Sequence, residues 1–160
     1  MKKNDLLLLL LLLLLSIVII KIIISVAYYN HRYEGCAYDI TRLLICYVKE
    51  NQGKLPETED DLVRSGYFRK ITKNDDIIYE FRYDNNLGEN EGWNHLSHME
   101  EFKIYYGVDL NDLEVRNGKL YNKSTNSVFV FFEGPRKYLL PRFYRKMSME
   151  IYNSIKNSRN

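Results

Sequence analysis

LLLLLLLLLLSIVIIKIIISVAYYNHRYEGCAYDITRLLICYVKENQ, residues 6–52, decides how the rest of the chain is read. Ten leucines open it, four β-branched residues follow Ser16, three isoleucines follow Lys21, and Tyr28 and Tyr29 close the uniformly apolar part. Beyond them Tyr33, Cys36, Ala37, Ile40, Leu43, Leu44, Tyr47 and Val48 recur at helical spacing, and no proline separates the two patterns. The stretch predicts one long rod, buried in lipid along its first half and in protein along one stripe of its second. At about 1.5 Å per residue the apolar half reaches about 36 Å, more than the ~30 Å hydrocarbon core of a bilayer.

Lys2 and Lys3 precede the apolar run, as in a secretory or anchor signal, and Ser25-Val26-Ala27 has the small residues of a cleavage site. The run is longer than a removable signal needs, and nothing separates it from the next helix. A retained anchor is therefore favoured, with membrane lipid as its partner. Lys21, eight residues before Tyr29, can snorkel to the headgroups, and Tyr28 and Tyr29 supply an interfacial belt. Lys2 and Lys3 outweigh Arg32 and His31, which points to a single-pass protein of the inner membrane with a cytoplasmic amino terminus and a periplasmic or extracellular head. Residues 1–29 are the expected anchor and residues 30–160 the expected exported domain.

The chain has 160 residues and a formal net charge of +2, unevenly spread. Between Glu57 and Glu101 there are twelve acids against five bases, and from Arg136 onward seven bases against one acid. Fourteen tyrosines give enough aromatic surface to fill a sheet face and argue against a disordered chain. Cys36 and Cys46 share the predicted helix, where ten residues separate them by about 15 Å, far beyond the ~7 Å that a disulfide bridges. Cys36 falls on the apolar stripe. Cys46 lies off it and is the thiol to test for reactivity.

Past the rod, Gly53 and Pro56 are stop signals. Thr58 with Asp61 three residues on caps a short acidic helix that Gly66 ends, and Tyr67-Phe68 returns to the core. Ile77, Tyr79, Phe81 and Tyr83 alternate with polar residues as one half-buried strand, and Phe102, Ile104 and Tyr106 as another. Asn117-Gly118 between Leu113 to Val115 and Leu120-Tyr121 predicts a hairpin, and Val128 to Phe132 reads as a strand. From Leu140 a helix presents Tyr144, Met147, Ile151 and Ile155 on one face, with Arg142, Arg145 and Lys146 at its start. Packing of this tail is favoured over contact with anionic lipid. The fold class is α+β: a long N-terminal membrane-spanning helix continuing into an amphipathic helix, packed on a small antiparallel sheet, with a C-terminal helix.

Chemistry is sparse. His95-x-x-His98 with Glu100 or Glu101 has two potential ligands but no accompanying zinc signature. Asp84, Asn86, Gly88 and Asn90 alternate like the start of a calcium loop, yet His95 stands where the bidentate glutamate belongs. Asp109-Leu110-Asn111-Asp112 is turn chemistry, and Asn122-Lys123-Ser124 fits a glycosylation sequon. No serine or cysteine has a base placed by a motif. No catalytic, cofactor-binding or metal-binding residue is assigned, and neither nucleic acid nor a small-molecule substrate is expected as a partner.

The passage Tyr47-Val48-Lys49-Glu50-Asn51-Gln52-Gly53-Lys54-Leu55-Pro56, with Glu59-Asp60-Asp61-Leu62 and Ser65-Gly66-Tyr67, resembles the step from long helix to globular head in the type IV pilin-like proteins, particularly the major pseudopilin of type II secretion. The resemblance covers roughly thirty residues. It implies a non-enzymatic structural or assembly role in a secretion apparatus, with other pilin-like subunits as partners. The chain departs from that family at its start: Asn4-Asp5 leads straight into leucine, with neither the glycine of a processing site nor a glutamate in the apolar stretch. The resemblance thus implies a pilin-like architecture used as a fixed anchor. The alternative is an anchored extracytoplasmic binding domain of unrelated α+β fold.

Overall fold

The computed structural model describes residues 3–83, 92–96, 98–135 and 141–159. Helix α1, Lys3–Glu50, runs 48 residues without interruption. It passes through Gly35, around which a Cβ would meet open space, so that glycine is no hinge imposed by packing. Two environments divide it. The large apolar side chains between Leu11 and Val26 are each 44 to 63 % exposed, whereas Ala37, Ile40, Leu43 and Val48 are completely buried. The first half is long and apolar enough to cross a membrane. Tyr47, expected on the buried stripe, is half-buried at its edge.

Gln52 and Gly53 end α1 in left-handed conformations, with φ of 54° and 78°. The Gly53 amide donates to the Val48 carbonyl (2.9 Å), the return bond of a glycine-terminated helix. Helix α2, Glu59–Arg64, begins with the predicted capping box: the Asp61 amide donates to Thr58 Oγ1, and the Thr58 amide to the Asp61 carboxylate. Leu62 is its one buried residue.

The sheet content is three small antiparallel units, where the sequence led us to expect one. Strands β1 (Phe68–Lys73), β2 (Asp76–Phe81) and β3 (Asn94–His95) form the first. Strands β4 (Lys103–Ile104) and β8 (Phe132–Glu133) form the second, and β5 (Leu113–Arg116), β6 (Lys119–Asn122) and β7 (Ser127–Val128) the third. The β1–β2 hairpin turns through Asn74 and Asp75, both left-handed at φ of 52° and 66°. Asn117 and Gly118 turn the predicted β5–β6 hairpin in the same way, at 49° and 69°.

Two strand expectations change. The alternation placed Ile77 and Tyr83 on a buried face, but they are 54 and 42 % exposed, while Phe81 and Arg82 are buried. Burial here follows distance from the core along β2: Ile77 sits beside the exposed turn, and Arg82 is drawn in because its Nε donates to the Gly66 carbonyl (2.7 Å). The run 128–132 is not one strand. It crosses between two sheets, with the Phe131 amide donating to Ser148 Oγ (3.0 Å) and the Phe131 carbonyl accepting from the Tyr105 amide (2.9 Å).

Helix α3, Pro141–Arg159, packs along the second half of α1 through Tyr144, Met147, Ser148, Ile151 and Ile155. The Phe143 ring meets Tyr38 edge-on (5.4 Å) near its start, and Arg159 Nε donates to the Gly53 carbonyl (3.2 Å) at its end. The two helices therefore run in the same direction. The candidate calcium loop of Asp84, Asn86, Gly88 and Asn90, the tail residues Arg136 and Lys137 and the expected helix start at Leu140 lie outside the described residues.

Two substitutions of equal chemistry separate the halves of α1. Ile40→Ala should lower the head's stability by about 2–5 kcal/mol, because it empties a filled core position, whereas Ile20→Ala should leave it unchanged. Thermal unfolding followed by near-ultraviolet circular dichroism checks both.

Candidate functional site

The end of the head nearest the apolar half of α1 carries the polar groups that sequence reading singled out. Tyr33, one turn past Tyr29, donates its hydroxyl to Glu101 Oε1 (2.5 Å). His98 Nδ1 lies 3.1 Å from the same oxygen, and the His98 and Tyr33 rings are 4.8 Å apart. His98 takes a left-handed conformation (φ 63°) at the start of the 3-10 turn Met99–Glu101, which brings its ring back over Glu101.

His98, Glu100 and Glu101 offer ligand atoms that all lie within 4.8 Å of one another, so these three could hold a cation. His95, the other half of the His-x-x-His pair, does not join them. It sits exposed on β3, paired with Glu80 of β2. The two histidines do not share a helical face, since His95 belongs to β3 and His98 opens the 3-10 turn. His95 and His98 both line a broad open depression of about 940 Å³ beside α1, with Arg32, Asp76, Glu80 and Glu100.

A second cluster ties the residue Tyr83, two past the end of β2, to α1. Arg42 Nη1 donates to the Tyr83 hydroxyl (3.0 Å), which donates to Asp39 Oδ1 (2.9 Å), and the guanidinium also lies 5.3 Å from the Tyr83 ring centre. Burial pushes the Asp39 carboxyl up, against the opposing pull of the Tyr83 hydroxyl and Arg42. This relay was not legible in the sequence, since Tyr83 is 44 residues from Asp39.

Neither thiol is set up as a nucleophile. Burial pushes Cys36 far up, and the charges of Asp39, Glu100 and Glu101 add to it. Cys46, singled out as the thiol to test for reactivity, is half-buried, and burial raises it as well despite Lys49 and Arg42.

The third feature is a groove of about 410 Å³ between the β5–β6 turn and the outer face of α3, lined by Lys119, Arg142, Arg145 and Lys146 with one acid, Glu150. Among the described residues none of these four cations is ion-paired, whereas Arg64, Arg69, Lys70 and Arg116 each hold a carboxylate. The sequence placed Arg142, Arg145 and Lys146 together on a helix. It did not show that the hairpin turn brings Lys119 to them.

The relay yields a pH prediction. A carboxyl that holds its proton more tightly folded than unfolded loses stability as pH rises from its unfolded value, about 4, through the folded one. Asp39→Asn, which keeps an acceptor for Tyr83, should raise the melting temperature at pH 7 and leave it unchanged at pH 3. Melting curves at the two pH values check this. The chain matches no protein-family model, no curated protein and no solved structure.

Proposed function

We propose that the protein is a single-pass membrane protein in which residues 1–29 anchor a head, residues 30–160, outside the cytoplasmic membrane, and that the head has a non-enzymatic, pilin-like structural or assembly role in a secretion-type apparatus. The observation that carries the reading is the shared helix. The apolar half of α1 and the spine of the head are one uninterrupted element, Lys3–Glu50, so the head is held rigidly at a fixed height above its anchor. A rigid stalk suits a part that must present a surface to neighbouring subunits. The likeness of residues 47–67 to the helix-to-head passage of the pseudopilins supplies the choice of apparatus, and the missing glycine and glutamate favour a fixed anchor over a processed filament subunit.

The open depression beside Arg32 supports a second reading, an anchored domain that binds an envelope component. Photo-crosslinking in intact cells producing the full chain separates the two. With the crosslinker at exposed head positions such as Tyr38 or Val63, the first reading predicts protein adducts containing further copies of the chain or secretion-apparatus subunits. Adducts confined to non-protein envelope material would favour the second. Recovery of a soluble chain beginning near Tyr28 would contradict both.

A further inference from the structure

We propose that the basic outer face of α3 contacts the anionic lipid surface from which α1 emerges, so that the head leans toward the bilayer on that side. The inference rests on the anchor reading above and adds to it a surface, a ligand and a direction of tilt.

The geometry begins with the parallel course of α1 and α3. Phe143 lies level with Tyr38, and Arg159 with Gly53, so the start of α3 is the end nearer the membrane. Tyr38 stands nine residues beyond Tyr29, about 13 Å along an upright helix, and the headgroup layer itself extends about 5–7 Å past the hydrocarbon. Side chains on a helix lean toward its N-terminus, which for α3 is toward the membrane. Arg142, one residue before Phe143, therefore brings its guanidinium to the headgroup layer, and Arg145 and Lys146 lie one turn higher, within about a Debye length of the surface.

Charge supplies the direction. Lys119 joins the three helical cations, and the one carboxylate lining the groove, Glu150, forms no ion pair with any of the four. Helix α3 keeps its apolar face for α1 and the core, leaving the basic face to solvent. None of the residues that line this groove lines the broad depression beside Arg32, where the described lining has four acids, Asp75, Asp76, Glu80 and Glu100, against Arg32 and Lys73. An anionic lipid surface attracts the cluster of cations and repels the acid-lined depression, over about a Debye length. Phosphate headgroups, each able to take two hydrogen bonds from an arginine, are the matching chemistry.

The test uses the full chain reconstituted into vesicles. A donor dye is placed at Asn153→Cys on the basic side or at Thr72→Cys on the acidic side, in a Cys46→Ser background, with an acceptor on the lipid. Flotation establishes that the chain is anchored. Energy transfer from position 153 should be greater in vesicles containing phosphatidylglycerol than in pure phosphatidylcholine, and transfer from position 72 should be lower or unchanged. High salt should abolish the difference without any mutation, and so should Arg142→Glu with Arg145→Glu and Lys146→Glu. Equal transfer in both lipids, or an enhancement that survives the charge reversal, overturns the proposal while leaving the anchor reading intact. A chain that fails to float overturns both. Added soluble polyphosphate should compete with the lipid. Polyphosphate binding on phosphatidylcholine vesicles with no response to phosphatidylglycerol would assign the groove to a soluble polyanion instead.

Discussion

The structure depends on one helix changing its surroundings without changing its course. Between Tyr29 and Tyr33 the demand on side chains shifts from apolar all round to apolar on one stripe, and the backbone continues through the shift. The consequence for the first half is severe. More than a dozen large apolar side chains between Leu11 and Val26 stand about half exposed, a surface far beyond what a soluble monomer tolerates in water. A lipid surrounding would remove that penalty, since a helix satisfies its own backbone and presents only hydrocarbon. The second half then has no freedom in its placement. Everything that buries Ile40, Leu43, Leu44 and Val48 must assemble around a shaft whose course the apolar half shares.

What assembles there is modest in regular structure and rich in aromatic contact. Strands of two to six residues cannot stabilise themselves, so the sheets are held by what they cover. Phe68, Phe81, Phe131 and Phe132 are all essentially inaccessible, and α3 closes the core from the other side through Met147, Ile151 and Ile155. Buried polar groups are answered locally: Thr41 Oγ1 donates to the Ala37 carbonyl (2.8 Å), and Ser148 accepts from the Phe131 amide. Arg82, the one buried charge among the described residues, donates to the Gly66 carbonyl and lies over Trp93. The charges sort by place, with four acids lining the depression beside Arg32 and four cations lining the groove beside α3.

Features that short stretches determine were legible. The rod, the Thr58–Asp61 box, the Asn117-Gly118 turn and the apolar face of α3 each follow from residues within a turn or two of one another. Features that need distant parts of the chain to meet were not. Alternation along residues 77–83 could not reveal that the core lies at one end of β2, and five apolar residues at 128–132 could not reveal that Ser148 and Tyr105 pull the chain from one sheet to another. The candidate sites follow the same rule. His98, Glu100 and Glu101 come together because they are neighbours in sequence, whereas the places of Lys119, Asp39 and Tyr83 were missed because their partners come from other elements.

The central claim is that α1 stays straight across the membrane exit, and the distance between one label in each half measures it directly. With spin labels at Ile22→Cys and Lys49→Cys in a Cys46→Ser background, the full chain in lipid vesicles should give a single narrow distance distribution near 40 Å, the length of 27 residues at about 1.5 Å each. A broad or markedly shorter distribution would show a hinge near Asn30 and contradict the account, as would loss of the first label through removal of the apolar segment.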